Sequence, residues 1–264
     1  MDILSDAEMY RTIQVAWDRE VCRVRIHRPD DNNTINGALI EDITCVVDRC
    51  EQNAKIVILE GSPELFCLGA DFAEISRSGA GDERPGGPNP EPLYDLWRRL
   101  CEGPYVTIAH VRGKVNAGGV GFVAACDLVL SEEKALFSLS ELLFGLMPAC
   151  VLPFLVRRIG VARANYMTLT TQSIGAPQAL EWGLVDACEE NSESLLRKHL
   201  LRLARLSKSA ISRYKRYACS LDRITALAKP EALRANAEVF SDPSNLENIV
   251  RYVRSGRFPW EARS

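Results

Sequence analysis

Two segments of the 264-residue sequence place glycines where a strand pattern hands over to a helix pattern: Phe66-Cys67-Leu68-Gly69-Ala70-Asp71, and Gly113 through the Gly118-Gly119-x-Gly121 cluster. At such a junction the first backbone N–H groups of the helix lack partners and point outward. Aimed at one ligand oxygen, they would stabilise negative charge developing there, the chemistry of an oxyanion hole. Glycine lets a ligand come close to the backbone. It also serves close packing between elements, and either turn alone fits both roles.

Other common chemistries find no support. Arg112-Gly113-Lys114-Val115 lacks the upstream glycine and the hydroxyl residue of a nucleotide-phosphate loop. Gly119-Val120-Gly121, with Ala124 following, has no acidic partner for a dinucleotide ribose. There is no G-x-S-x-G and no H-E-x-x-H. The three histidines, His27, His110 and His199, are far apart, and His110 sits in a strand pattern; each reads as structural. Nine scattered cysteines without a C-x-x-C point to reduced thiols rather than zinc or disulfides, so no metal is expected.

The elements that must carry the two turns follow from periodicity. Residues 12–17 and 21–27 read as strands; in the second, Cys22, Val24 and Ile26 alternate with Arg23, Arg25 and His27, giving one buried and one wet face. Leu39, Ile43, Val46, Val47 and Cys50 recur at helical spacing. Ile56 to Leu59 is apolar on both faces, as for a strand covered on both sides. Ser76 to Pro92 holds four glycines and four prolines and reads as a mobile loop. Leu93, Leu96, Trp97 and Leu100 resume a helix, 106–111 and 128–130 are further strands, and a small-residue helix ends at Cys126. Beyond Glu141, helices are expected near 149–159, 161–170, 176–182, 193–206, 208–220, 230–240 and 245–254. The whole reads as an α/β core, 1–190, with a helical C-terminal region, 191–264.

Composition sets outer bounds. The chain is 47% hydrophobic and 25% charged, with a formal net charge of −3. Neither nucleic acid nor an anionic membrane is advertised by that balance. The start, MDILSDAEMYRT, has no basic-then-apolar pattern of a secretory signal, and no apolar run reaches the ~18 residues of a membrane span. A cytoplasmic protein is expected. One local excess stands out: from Leu195 to Leu221 eight cations occur with no acidic residue among them. Such a run suits an acidic partner, or is simply a solvated helix face.

Read together, four ordered segments resemble the enoyl-CoA hydratase (crotonase) superfamily. Residues 66–71 resemble its F-x-x-G-A-D segment. Val111-Arg112-Gly113-Lys114-Val115-Asn116-Ala117-Gly118-Gly119, on to Cys126-Asp127, resembles its second glycine segment. Phe137 to Pro148 resembles F-x-x-x-E-x-x-x-G-x-x-P, and 174–185 resembles A-x-x-A-x-x-x-G-L-V. The resemblance implies a spiral of ββα units with a C-terminal helical trimerisation region, hence a homotrimer or hexamer. It implies that the N–H groups of Ala70 and Gly118 hold a thioester oxygen, that Glu141 is the general acid–base, and that Leu68, Gly69, Asn116 and Gly121 border the substrate. Asp71 is expected to cap the next helix.

Hydratases of this family hold water between two glutamates, and the first of them falls on Gly121. That argues against simple hydration of a straight-chain enoyl-CoA, and suggests that Gly121 vacates room for a branched acyl group. Asp30-Asp31 stands where many relatives carry a cation for coenzyme A, which makes the free coenzyme a poor fit. The runs 110–122, 138–145 and 195–201 resemble the enoyl-CoA-hydratase-like branch of polyketide clusters that helps install β-methyl groups. This branch implies dehydration of a 3-hydroxy-3-methylglutaryl group on the phosphopantetheine of an acyl carrier protein, with no further cofactor. Arg197, Lys198, Arg202, Arg205 and Lys208 are then the expected docking residues for the acidic carrier. A decarboxylase or coenzyme A hydratase of the same fold, or an idle docking scaffold, are the alternatives; the glutamate at 141 favours the dehydratase.

Overall fold

The computed structural model describes residues 8–78 and 89–263. Most of the expected mobile loop, along with residues 1–7 of the stretch read for a signal, lies outside the described residues. The chain begins with β1 (Glu8–Met9), β2 (Ile13–Asp18) and β3 (Val21–Ile26), an antiparallel meander in which Ile13 faces Ile26. Helix α1 (Gly37–Asn53) starts where the Asn36 side chain accepts the Leu39 N–H.

Three ββα units follow. β4 (Ile56–Glu60) and β5 (Leu65–Cys67) lead to α2 (Phe72–Ser78) and α3 (Glu91–Glu102). β6 (Val106–Val111) and β7 (Lys114–Asn116) lead to α4 (Gly118–Ala125). β8 (Leu128–Glu132) and β9 (Leu136–Ser138) lead to α5 (Leu152–Thr170). Each unit sends its first strand to one sheet and its second to another. After β10 (Ile174–Gly175), α6 (Ala176–Trp182) and β11 (Ala187–Glu189), the larger sheet has the order β1-β2-β3-β4-β6-β8-β11 and the smaller β10-β9-β7-β5. From β3 to β11, and from β5 to β9, the pairs are parallel. This is the spiral of ββα units that the family resemblance implies.

Every residue of β4 is buried, because the larger sheet is covered on both faces. Its outer face takes Leu195 and Leu196 of α7 (Ser192–Leu203) against Ile56, Ile58, Ile108 and Leu130. That cover corrects one expectation: Arg23, assigned to a wet face, is buried under α7 and paired with Glu60 and Glu193. Burial pushes the Glu60 carboxyl up, but a hydrogen bond from His110 and the charges of Arg23 and Arg25 outweigh it and hold it at about 2. The second ring nitrogen of His110 meets Ser192 Oγ at 2.8 Å, so this histidine is structural, as read.

The helices α8 (Lys208–Leu221), α9 (Ile224–Ser241) and α10 (Pro243–Ser255) complete the chain. The break expected near residue 160 lies inside α5, where Gly160 has φ 77°. α9 begins upstream of Pro230, whose missing N–H is tolerated because tertiary contacts hold the first turns: Tyr94 Oη donates to Thr225 O at 2.7 Å, and Lys229 pairs with Asp95 and Glu91.

Two cations of the basic run turn inward rather than outward. Lys208, expected to dock a partner, donates through Nζ to Cys50 O and Ala54 O (3.1 and 2.6 Å) and caps the end of α1. Lys215 is only 4% exposed and donates to Leu100 O, Tyr105 O and Asp127 Oδ2 at 3.1, 2.9 and 2.7 Å. The pattern of charges along the run could not show this, since both lysines face α1 and α3 only once α8 has docked. Removing one partner of a buried pair leaves the other uncompensated, so Lys215→Met should destabilise the fold by roughly 3 kcal/mol in denaturant unfolding. Arg205→Glu, on an exposed position, should change stability by no more than about 0.5 kcal/mol.

Candidate active site

The smaller sheet positions the chemistry. β5, β7 and β9 run parallel, and their C-terminal ends release three turns at one edge: 68–71, 117–118 and 139–141. Ligand sites form beyond the carboxyl ends of parallel strands because the backbone there leaves its ladder.

The first turn is fixed by Ile35, whose N–H donates to Gly69 O at 2.7 Å and whose carbonyl accepts the Asp71 N–H at 3.0 Å. The Ala70 N–H between them has no acceptor among the described residues. Gly69 has φ 89°, and a Cβ on it would lie 2.6 Å from Ala117 Cβ and 3.2 Å from Gly118 N. Only glycine lets the two turns approach this closely. In the second turn Ala117 adopts φ 50°, ψ −123°, a sparsely populated conformation for a residue with a side chain. It is locked by Ala117 N–H to Ser138 O (3.0 Å) and Val120 N–H to Ala117 O (2.8 Å). Gly118 therefore begins α4 with its N–H free of acceptors among the described residues. Two unpartnered donors thus stand on turns in contact, the arrangement an oxyanion requires.

Glu141 opens the third turn, a single 3-10 turn over Glu141–Phe144. Its Oε2 is buried without a hydrogen-bond partner among the described residues. Burial pushes the carboxyl up to about 7, and the backbone N–H groups of Glu141 and Ser140 offset this only in part. A carboxyl there is half-ionised at neutral pH and can act as base and acid. Asp71, as expected, caps α2: Oδ1 accepts the Glu74 N–H at 2.9 Å, while Oδ2 pairs with Arg28 at 2.9 Å.

A cavity of about 1310 Å³ joins these groups. Leu68, Ala70, Asn116, Gly118 and Glu141 all line it; Gly69 and Gly121 do not. Gly121 is the clearer departure: a Cβ there would sit 2.5 Å from the Trp97 ring, so the volume its missing side chain vacates is filled by indole, not by substrate. Trp97, packed edge-on against Phe122 and Phe154, lines the cavity in its stead, with Nε1 unpartnered. Asp30, Asp31, Glu41 and Lys114 also line the cavity, and Asp31 and Glu41 are paired with Arg28 and Arg11.

Sequence reasoning missed part of the lining. Asn236 and Phe240 of α9, Tyr252 of α10 and Phe258 reach the cavity from the C-terminal helices. They close over Phe144, which meets Phe72, Tyr252 and Phe258 at centroid distances of 5.1, 5.1 and 5.7 Å. The apolar spacing of α10 marked it as amphipathic, yet nothing in it named the surface it would cover. Ser138 and Ser140 also line the cavity. Their alternation around Leu139 at a strand end is the signal that could have found them. Of the expected docking cations, Arg197, Lys198, Arg202 and Arg205 are exposed, and Lys198 is paired with Glu189.

Comparison with known proteins agrees with this geometry. The chain is 54% identical over 257 residues to Bacillaene synthase dehydratase PksH of Bacillus subtilis (strain 168), spanning 97% of this chain and 99% of that one. It superposes with a TM-score of 0.92 on a crystal structure described as a polyketide biosynthesis enoyl-CoA hydratase (pksH) from Bacillus subtilis, at 55% identity over 95% of this chain and 100% of that one. More distantly, it is 31% identical to Enoyl-CoA hydratase AKT6-1 of Alternaria alternata over 74% of this chain and 63% of that one. The Enoyl-CoA hydratase/isomerase family model matches residues 17–263. The chain belongs to the enoyl-CoA hydratase/isomerase family.

Proposed function

We propose that the protein is a dehydratase of polyketide assembly, removing water from a 3-hydroxy-3-methylglutaryl group carried on an acyl carrier protein to give the 3-methylglutaconyl thioester. The observation that carries this is the solitary Glu141: one unpaired carboxyl near neutrality beside two open N–H donors, with indole where the water-holding partner of a hydratase would stand. Similarity to a protein named a dehydratase supports the direction of reaction.

The steps follow from the residues. The Ala70 and Gly118 N–H groups hold the thioester oxygen, each contributing about 3 kcal/mol as charge develops there. Glu141, as carboxylate, takes the proton from the carbon next to the thioester. The resulting enolate expels the β-hydroxyl, and Glu141 returns its proton to the departing oxygen as water. Proton transfer and oxyanion stabilisation complete the elimination, so no cofactor is needed beyond the phosphopantetheine of the substrate.

Asp30, without an ion pair among the described residues, disfavours the phosphates of free coenzyme A and so supports a carrier-borne arm. Arg197, Arg202 and Arg205, with Lys198, give the carrier an exposed basic face. Copies of the chain assemble into a homotrimer or hexamer, for which exposed Val161 and Leu169 on α5 and Leu221 and Leu227 of the C-terminal helices offer apolar contact.

Mass spectrometry of the acylated carrier protein after incubation tests the reading directly. Loss of one water is expected, and an unchanged acyl group contradicts it. Glu141→Gln keeps the size of the side chain and should lower turnover at least ~100-fold. Because the folded carboxyl titrates at about 7 against an ordinary 4.5, the folded state binds more protons than the unfolded one between these values. Stability is therefore lost as pH rises from 4.5 to 7, by up to about 3 kcal/mol. Glu141→Gln should consequently be more stable than the wild type at pH ~8 and lose that advantage near pH ~5 in denaturant unfolding. Arg202→Glu with Arg205→Glu should raise KM for the carrier-bound substrate in a salt-sensitive way, since exposed charges act within a Debye length of ~8 Å. Turnover of a short pantetheine analogue should stay unchanged, and equal loss on both substrates would rule docking out.

A further inference from the structure

We infer that Ser140 hydrogen-bonds the departing β-hydroxyl, and that Ser138 and Asn116 hold Ser140 in place, a neutral relay standing in for the second carboxylate of a hydratase. The inference rests on the dehydration proposed above. Asn116 and Ser138 end adjacent parallel strands and are register partners, so amide and hydroxyl lie side by side on the cavity face. Ser138 Oγ donates to Asn116 Oδ1 at 2.9 Å, and Asn116 Nδ2 donates to Ser140 Oγ at 2.8 Å. Ser140 Oγ thus accepts within the protein, while a serine hydroxyl has one proton to give. Among the described residues no acceptor takes that proton. It is available to the cavity one residue before Glu141, from a half-buried side chain.

The chemistry asks for such a donor. The Cα–H bond breaks with its proton going to Glu141, the Cα–Cβ double bond forms, and the Cβ–O bond breaks with its electron pair left on oxygen. A hydrogen bond from Ser140 supports that charge and turns a lone pair towards Glu141, which supplies the proton that makes water. Ser140 keeps its own proton throughout. A neutral relay also suits a substrate that carries a carboxylate of its own, since a second anionic side chain in the cavity would repel it. Asn116 and Ser138 are positioning residues in this scheme; of the three, only Ser140 donates to the leaving hydroxyl.

Two readouts separate the relay from general damage. One is dehydration of the 3-hydroxy-3-methylglutaryl thioester. The other is α-proton exchange in D2O on the 3-methylglutaryl pantetheine thioester, which lacks the hydroxyl and needs only Glu141 and the two N–H donors. Ser140→Ala should lower kcat for dehydration by roughly 10- to 100-fold, the scale of one lost transition-state donor, with KM and exchange changed less than about threefold. Asn116→Leu should copy this loss without adding to it in the double variant, and Ser140→Thr should restore most of the rate. Dehydration by folded Ser140→Ala within about twofold of the wild type overturns the relay, and so does equal loss of exchange and dehydration. A wild-type protein that exchanges but does not dehydrate overturns the proposed function itself, and the relay with it.

Discussion

The parallel pairing of β5, β7 and β9 is the constraint on which the site depends. Each strand is three residues long, too short to hold a register through hydrogen bonds alone. Their alternation does it: Val115 and Phe137 are register partners buried in the core, so Asn116 and Ser138 must face the cavity. A slip of one residue would bury the polar set and expose the apolar one. The pairing also ends the three strands at one edge, so that two unpartnered N–H groups and one carboxyl emerge on adjacent turns. Gly69 and the strained Ala117 then bring the first two turns into contact.

Such a site works against stability. An unpartnered carboxyl oxygen, two open N–H groups and an unpartnered indole N–H border a single cavity. Each costs free energy in the empty protein, and each is a group that substrate or transition state can satisfy. The rest of the fold offsets this through the two-sided cover of the larger sheet and through fasteners such as Lys215, which joins α8 to the ends of α3 and α4. The C-terminal helices do two things at once: they lock onto the core and close the cavity with Phe240, Tyr252 and Phe258.

Much of this was legible in the sequence where a local rule decides the outcome. Strands β2, β3, β4, β6 and β8 and most of the helices followed from periodicity, the Asp71 cap from residue type, and the α5 break from the gap between two helical segments at residue 160. The three-residue strands β5, β7 and β9, by contrast, are too short to show a period. The glycine turns announced their unpaired N–H groups, though their union with Glu141 rested on family resemblance. What failed to be legible depended on partners distant in the chain. Arg23 looked solvated because α7, far downstream, was not known to cover it. Lys208 looked like a docking charge because the carbonyl ends of α1 were not known to face it. Gly121 looked like vacated space because nothing local shows that Trp97 fills it. In each case the residue type permitted two environments, and tertiary packing chose between them.

The account turns on Glu141 being one carboxyl poised to act as both base and acid. Isotope-edited infrared or carbon NMR titration of Glu141, with Glu141→Gln as the blank, measures that property without any substrate. The account predicts a midpoint near 7, raised by burial. A midpoint at the ordinary 4.5 would show that burial does not raise this carboxyl, and would contradict the account of a base strengthened by its buried site.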